Sequence, residues 1–139
     1  MATTSTVSYT ASAAPRLTWI RAISVAGASL AAVAVWAIAV PLLGTHLLIR
    51  FGSGPAQGVA IETVVGASLA AALLGWGLLT VLERRTARAQ MIWTRIAIAV
   101  LLVSFSLPLS AGVTISSKAA LALMHLAVAA VLIPGLRRR

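Results

Sequence analysis

Four long stretches without any charged residue constrain the fold of this chain more than any other feature. They cover residues 22–45, 63–82, 96–117 and 119–136. As helices of 18 to 24 residues, they would be about 27 to 36 Å long, which is enough to cross the hydrocarbon core of a bilayer. Helices of this length with no charge on any face are rare in soluble cores, so we expect four transmembrane helices.

The composition agrees with this interpretation. Hydrophobic residues make up 60% of the chain and charged residues 9%, whereas about 25% of the residues in an average soluble domain are charged. A small soluble domain cannot bury so large an apolar fraction, and the chain has no cysteine for a disulfide framework. These counts exclude a soluble enzyme, a disordered chain and a disulfide-stapled secreted module.

The predicted fold class is all-α, with four transmembrane helices in an antiparallel up-down bundle. We expect the spans at about residues 20–44, 59–82, 93–111 and 118–136. The connections between them are short, which makes consecutive helices antiparallel neighbours. Residues 1–15 are uncharged, and we expect a disordered tail there, followed by a single four-helix membrane domain over residues 16–139.

The basic residues predict the orientation in the plasma membrane. Nine of the eleven lie in the N-terminal flank, the second connection or the C-terminus, and only Arg50 and Lys118 lie on the opposite side. The positive-inside rule then places both termini in the cytoplasm. Trp19 and Trp93 lie at the cytoplasmic ends of the first and third spans, where an aromatic belt is expected. Arg21 is near enough to the same end for its charged group to reach the lipid headgroups.

Small residues four positions apart predict the helix contacts. Such pairs let two helix backbones approach closely in lipid. The glycines expected at helix contacts are Gly27, Gly66 and Gly75. Packing within one chain is one interpretation, and a homodimer interface is the other.

Two prolines are predicted to kink helices. Pro41 and Pro108 have no N–H with which to bond the carbonyls of Ala37 and Ser104, four residues earlier. A carbonyl freed at membrane depth needs another partner or water.

The ionisable residues at membrane depth suggest one candidate site. Glu62 and His125 enter the membrane from the same side, and the Ser104 carbonyl is expected at a depth similar to that of His125. Unpaired polar groups are costly there, so we expect Glu62, His125 and Ser104 to line one small polar pocket for a proton or a ligand. Two other interpretations stay open. One is that Glu62 only reaches the headgroup region. The other is that His125 is a neutral histidine bonded to a helix carbonyl.

No motif indicates an enzyme. The chain has no aspartate for a Ser–His–Asp set, and its two histidines do not form a metal site, so we expect no metal and no cofactor. We expect a non-enzymatic membrane protein, either an accessory or scaffold protein or a small-ligand-binding unit. The alternative is a proton-linked small-molecule carrier that works as a homodimer. The expected partners are the lipid bilayer and a second copy or another membrane protein, not nucleic acid.

Three short motifs also carry a resemblance. They are Trp19 with Arg21 at the start of the first span, the sequence SLPL at residues 106–109, and Met124 with His125. In these features the chain resembles, over about residues 16–136, a domain-of-unknown-function family of small four-helix membrane proteins from high-GC Gram-positive (actinobacterial) bacteria. The resemblance implies the fold but no activity. Small multidrug transporters also have four helices, but their essential glutamate lies in the first helix, which has no acid here.

Overall fold

The computed structural model describes the backbone of residues 13–137 and the side chains of residues 17–137. Most of the predicted N-terminal tail, residues 1–15, lies outside this part of the chain. The helices are α1 (Ala13–Ala37), which continues as a π-helical turn (Ile38–Leu42), then α2 (Ile61–Arg85), α3 (Ala89–Ser104), α4 (Ser106–Ala111) and α5 (Ile115–Arg137).

Four of these helical segments are long and apolar enough to cross a membrane. They are Leu17–Leu42, Ile61–Arg85, Ala89–Ala111 and Ile115–Arg137, the third of which combines α3 and α4. The prediction of a mostly helical chain with four apolar helices of membrane-spanning length is therefore confirmed.

Helix α1 packs against both α5 and α2. Its contact with α5 is close because small side chains recur every fourth residue. Ser24, Ala28 and Ala32 form this stripe and are all buried. Opposite Ser24 lies Gly135 of α5, where a Cβ atom would come within 2.7 Å of the Ser24 Cβ and would also clash with its Oγ. Hydrogen in place of a side chain at Gly135 is thus what allows this approach.

The core consists of two clusters at different levels of the bundle. The first, called here the Trp93 cluster, contains Val25, Ala28, Ala72, Leu79, Trp93, Leu132 and Leu136. The second, called the Met124 cluster, contains Ala32, Ala39, Leu47, Val64, Ala120 and Met124. Together they include the buried face of α2, where Val64, Ala72 and Leu79 lie at helical spacing.

A short β-hairpin closes the end of the molecule next to the Met124 cluster, which the all-α prediction did not foresee. Strand β1 (Leu48–Ile49) pairs antiparallel with β2 (Gln57–Gly58). Its backbone also bonds the link between α4 and α5, because Arg50 N–H donates to the Ala111 carbonyl at 2.8 Å and Val113 N–H to that of Leu48 at 3.1 Å. The buried Ser117 hydroxyl donates to the His46 carbonyl at 3.0 Å. These bonds fix the hairpin against the start of α5.

Candidate ligand cavity beside His125

A partly open cavity of about 250 Å³ lies between α2, α4, α5 and the hairpin. This volume is slightly below the range of about 300 to 1,000 Å³ that is typical of small-molecule sites. Most of its wall is apolar, and the polar side chains in it are those of Thr63, Ser68 and His125. The full lining is Ala32, Ile49, Val59, Thr63, Val64, Ala67, Ser68, Ala71, Leu107, Pro108, Ala111, Leu121, Met124, His125 and Val128.

The cavity exists because α2 carries small side chains where it faces α4. Ala67 and Ala71, one helical turn apart, line the wall and remain exposed, as does Leu107 on the facing helix. The opening therefore lies between α2 and α4. Ala67, Ala71 and Gly75 lie four positions apart, which is the spacing of small residues that predicts helix packing in lipid. Ala67 and Ala71 border the open cavity. Gly75, one turn further along α2, faces Leu132 of α5.

His125 presents one ring nitrogen to its own helix and keeps the other free. The Nδ1 atom lies 2.7 Å from the Leu121 carbonyl, one turn earlier in α5. A carbonyl oxygen only accepts, so Nδ1 carries the proton and Nε2 of the neutral ring is an acceptor. The Phe105 ring lies beside the imidazole, with 6.3 Å between ring centroids.

Within residues 17–137, Nε2 has no hydrogen-bond partner. It is also not among the fully buried unpaired atoms of this part of the chain, which are Arg21 Nε and Ser29 Oγ. It therefore retains accessible surface. His125 thus forms the hydrogen bond to a helix carbonyl that one interpretation of the sequence predicted. Its Nε2 is a free acceptor that a ligand can use.

Of the three residues predicted to share one pocket, only His125 lines this cavity. Glu62 is exposed in the first turn of α2. Ser104 ends α3, and its hydroxyl donates to the Leu101 carbonyl at 2.7 Å. Neither belongs to the cavity wall, whose residues are all in the described part of the chain. The prediction rested on similar depths along the helices, and depth alone does not fix the direction of a side chain around the helix axis.

The two prolines interrupt their helices in different ways. Pro41 lies inside the π-helical turn, where the Leu43 N–H donates to the Ile38 carbonyl five residues earlier at 2.9 Å. Pro108 is buried in the wall of the cavity, and the helix breaks three residues before it, at Phe105. The third span is consequently divided into α3 and α4, which is a larger departure than the predicted kink.

The predicted packing glycines have different surroundings. A Cβ at Gly27 would meet Val131 of α5 at 3.4 Å, and one at Gly75 would meet Leu132 at 3.6 Å. At Gly66, by contrast, a Cβ would meet nothing within 4 Å among the described residues, and the residue is exposed. The expected contact of Gly66 with another helix of the chain is therefore absent. Gly135, which makes the closest approach to α1, was missed.

An ion pair at the end of the bundle opposite the hairpin was not predicted from the sequence. It joins the buried Arg21 of α1 to the exposed Glu83 of α2. Arg21 Nη1 donates to Glu83 Oε2 at 2.9 Å and Nη2 to Oε1 at 2.5 Å. Arg21 is 5% exposed, so its guanidinium does not extend to the headgroups as predicted. The signal was present in the sequence, because two antiparallel neighbours place the start of one span beside the end of the next, and Glu83 is one of only two acids.

Trp93 is buried in the core cluster that is named after it. Its indole N–H donates to the Gly75 carbonyl at 2.7 Å, and the side chain is 2% exposed. It is thus a core residue and not part of an interfacial belt. Trp19 is 70% exposed, which is compatible with a position at the interface.

Comparison with known proteins gives a family but no function. No curated protein and no solved structure matches this chain. A family model described as "Family of unknown function (DUF6069)" matches residues 12–139. Because this match covers nearly the whole sequence, the chain belongs to the DUF6069 family, whose function is unknown.

Proposed function

We propose that the protein is a non-enzymatic, multi-pass protein of the plasma membrane that binds a small apolar ligand in the cavity beside His125. The observation that carries this proposal is an apolar cavity of about 250 Å³ with an accessible imidazole nitrogen in its wall. Apolar walls with one or a few placed polar groups are typical of small-molecule sites.

The proposed arrangement in the membrane is an antiparallel bundle with both termini in the cytoplasm. It is supported by the four apolar helices and by the excess of basic residues at one end. In this orientation the cavity, which is lined by the first half of α2 and the first half of α5, lies in the outer half of the bilayer. Its opening between α2 and α4 would face lipid, so an apolar ligand would enter from the bilayer.

The ligand chemistry follows from the wall. A ligand with an apolar body would replace lipid against Ala67, Ala71 and Met124. Because Nδ1 is held by the Leu121 carbonyl, Nε2 is available to accept one hydrogen bond. We therefore expect an apolar molecule with a single hydroxyl or amine donor. A lone histidine without a carboxylate in the cavity supports binding and not catalysis.

The test uses a photoactivatable dodecanol and the purified full-length protein in detergent. We expect crosslinks to the α5 segment around Met124 and His125, and competition by unlabelled dodecanol. Replacing Ala67 and Ala71 by leucine should fill the cavity and reduce labelling about tenfold, since the probe and the added side chains would occupy the same space. Ala70→Leu is the matched control, because Ala70 is exposed on the same helix and does not line the cavity.

Equal labelling of the filled variant and the parent would reject the cavity as a ligand site. His125→Phe separates the roles of shape and hydrogen bonding. This substitution should weaken the binding of dodecanol more than the binding of the corresponding alkane probe, because the alkane has no donor for Nε2.

A carrier that works as a homodimer is the second candidate. The observation in its favour is the exposed face of α2 around Gly66 and Ala70, which has small residues but no partner in the described chain. Small residues on a lipid-facing surface allow close approach of a second copy. The mass of the intact protein complex in detergent, measured on the same labelled sample, distinguishes the two candidates. A carrier of this kind requires a stable dimer, and the ligand-binding unit does not.

A further inference from the structure

We infer that the end of the bundle opposite the hairpin has a second binding site, for the phosphate-bearing headgroup of an anionic phospholipid. The site is an open concavity of about 770 Å³. It lies between the link from α2 to α3, the first two turns of α3 and the last residue of α5. It is separate from the His125 cavity and does not depend on the ligand proposed there.

Three arginines converge on this concavity. Arg88 precedes α3, Arg95 lies two turns further along the same face, and Arg137 comes from the end of α5. All three are exposed. Residues from two separate helices thus place three guanidinium groups around one space. Basic residues that serve only to orient the protein in the membrane would not need to share one space.

No side-chain carboxylate is available to neutralise this charge. The chain has two acids, and Glu83 is already bonded to the buried Arg21 through both of its oxygens. Glu62 lies 21 residues before Glu83 in the same helix, which is about 32 Å away. The three guanidinium groups therefore have no side-chain carboxylate of the chain as a partner and are available to an anionic ligand.

The remaining wall fits a lipid headgroup. Guanidinium groups bind phosphate oxygens with two parallel hydrogen bonds. Gln90 and Thr94 add polar groups on α3, and the exposed Met91 adds an apolar surface beside them. Since α3 and α5 are apolar beyond this level, a phosphate held here would have its acyl chains alongside the helices. Basic pockets between membrane helices are known to bind anionic headgroups in this way.

The experiment is native mass spectrometry of the delipidated full-length protein in detergent, titrated with phosphatidylglycerol, cardiolipin or phosphatidylcholine. Anionic lipids should bind at least about tenfold more tightly than phosphatidylcholine. Each direct guanidinium–phosphate contact at this exposed site should contribute about fivefold, so the double variant Arg88→Gln/Arg95→Gln should weaken anionic lipid binding about 25-fold.

The matched control is Arg84→Gln/Arg85→Gln, which removes the same charge from the same end of the bundle but outside the concavity. It should change the affinity by less than about twofold, because these arginines do not contact the headgroup. An equal loss in both double variants would show that net charge alone attracts the lipid and would overturn the site. Displacement of phosphatidylglycerol by millimolar inorganic phosphate would also overturn it, because the ligand would then be a free phosphate. All four arginines are exposed, and unchanged thermal melting of both variants verifies the fold.

Discussion

The two ends of this helical bundle differ in how their polar groups and backbones are fixed. Around the Trp93 cluster the helices are regular, and the Arg21–Glu83 pair, the Trp93–Gly75 hydrogen bond and the close approach of Gly135 to Ser24 join separate helices. Around the Met124 cluster, the first span becomes π-helical and the third span breaks at Phe105. The cavity is at this second level.

The difference indicates a division of labour within a small chain. One end has specific contacts between helices, so it determines how the helices are arranged. At the other end, interrupted helices and small side chains leave a space that a packed bundle would close. Single-turn π-helical insertions are frequent at functional sites. Three substitutions test this comparison.

The largest effect is expected from the ion pair. Glu83→Gln should lower the free energy of unfolding by about 3 kcal/mol, because it leaves the buried Arg21 charge uncompensated. The measurement is SDS titration of the purified protein followed by circular dichroism. Glu62→Gln is the control, and its exposed position predicts a change within about 0.5 kcal/mol. Equal effects of the two substitutions would contradict the assigned role of the pair.

An intermediate effect is expected at the closest helix approach. Gly135→Ala should cost about 2 kcal/mol, because the added Cβ would overlap Ser24 across the α1–α5 contact. Ser24→Gly in the same chain should restore most of this loss by removing the facing side chain. The comparison is Gly66→Ala, where nothing obstructs the new methyl group and helix propensity predicts a gain of up to about 1 kcal/mol. An equal fall in the melting temperatures of Gly135→Ala and Gly66→Ala would reject this assignment of the glycines.

The smallest effect is expected in the cavity. Ala71→Leu should change the free energy of unfolding by less than about 1 kcal/mol, because the new side chain enters existing space. The neighbouring Ala72 is fully buried against α1, and the same substitution there should cost at least about 2 kcal/mol. A large loss at Ala71 would mean that this end is as tightly packed as the other.

Much of the coarse architecture was predictable from the sequence, because it depends on local properties. A run of apolar residues long enough to cross a bilayer is visible one segment at a time, and all four such segments are helical in the structure. The family resemblance also agrees with the match to a family of unknown function. His125 was identified as a candidate because a histidine stands out within an apolar span.

The composition of the candidate site was less predictable. Glu62 and Ser104 have suitable depths along their helices, but depth says nothing about the direction of a side chain around the helix axis. In a soluble helix the apolar stripe indicates that direction. Here every face is apolar, so the pattern that would have separated Gly66 from Gly135 is missing.

The sequence by itself determined the number of long apolar helices, their approximate ends and the concentration of basic residues at one end, since length, hydropathy and charge are properties of segments. Only the tertiary structure decided that Arg21 is buried against Glu83, that Gly135 and not Gly66 is the close contact, and that the cavity has His125 without Glu62. These features depend on the rotation of each helix about its own axis. In an apolar chain that rotation is fixed by the shapes of the packed side chains and not by their hydrophobicity.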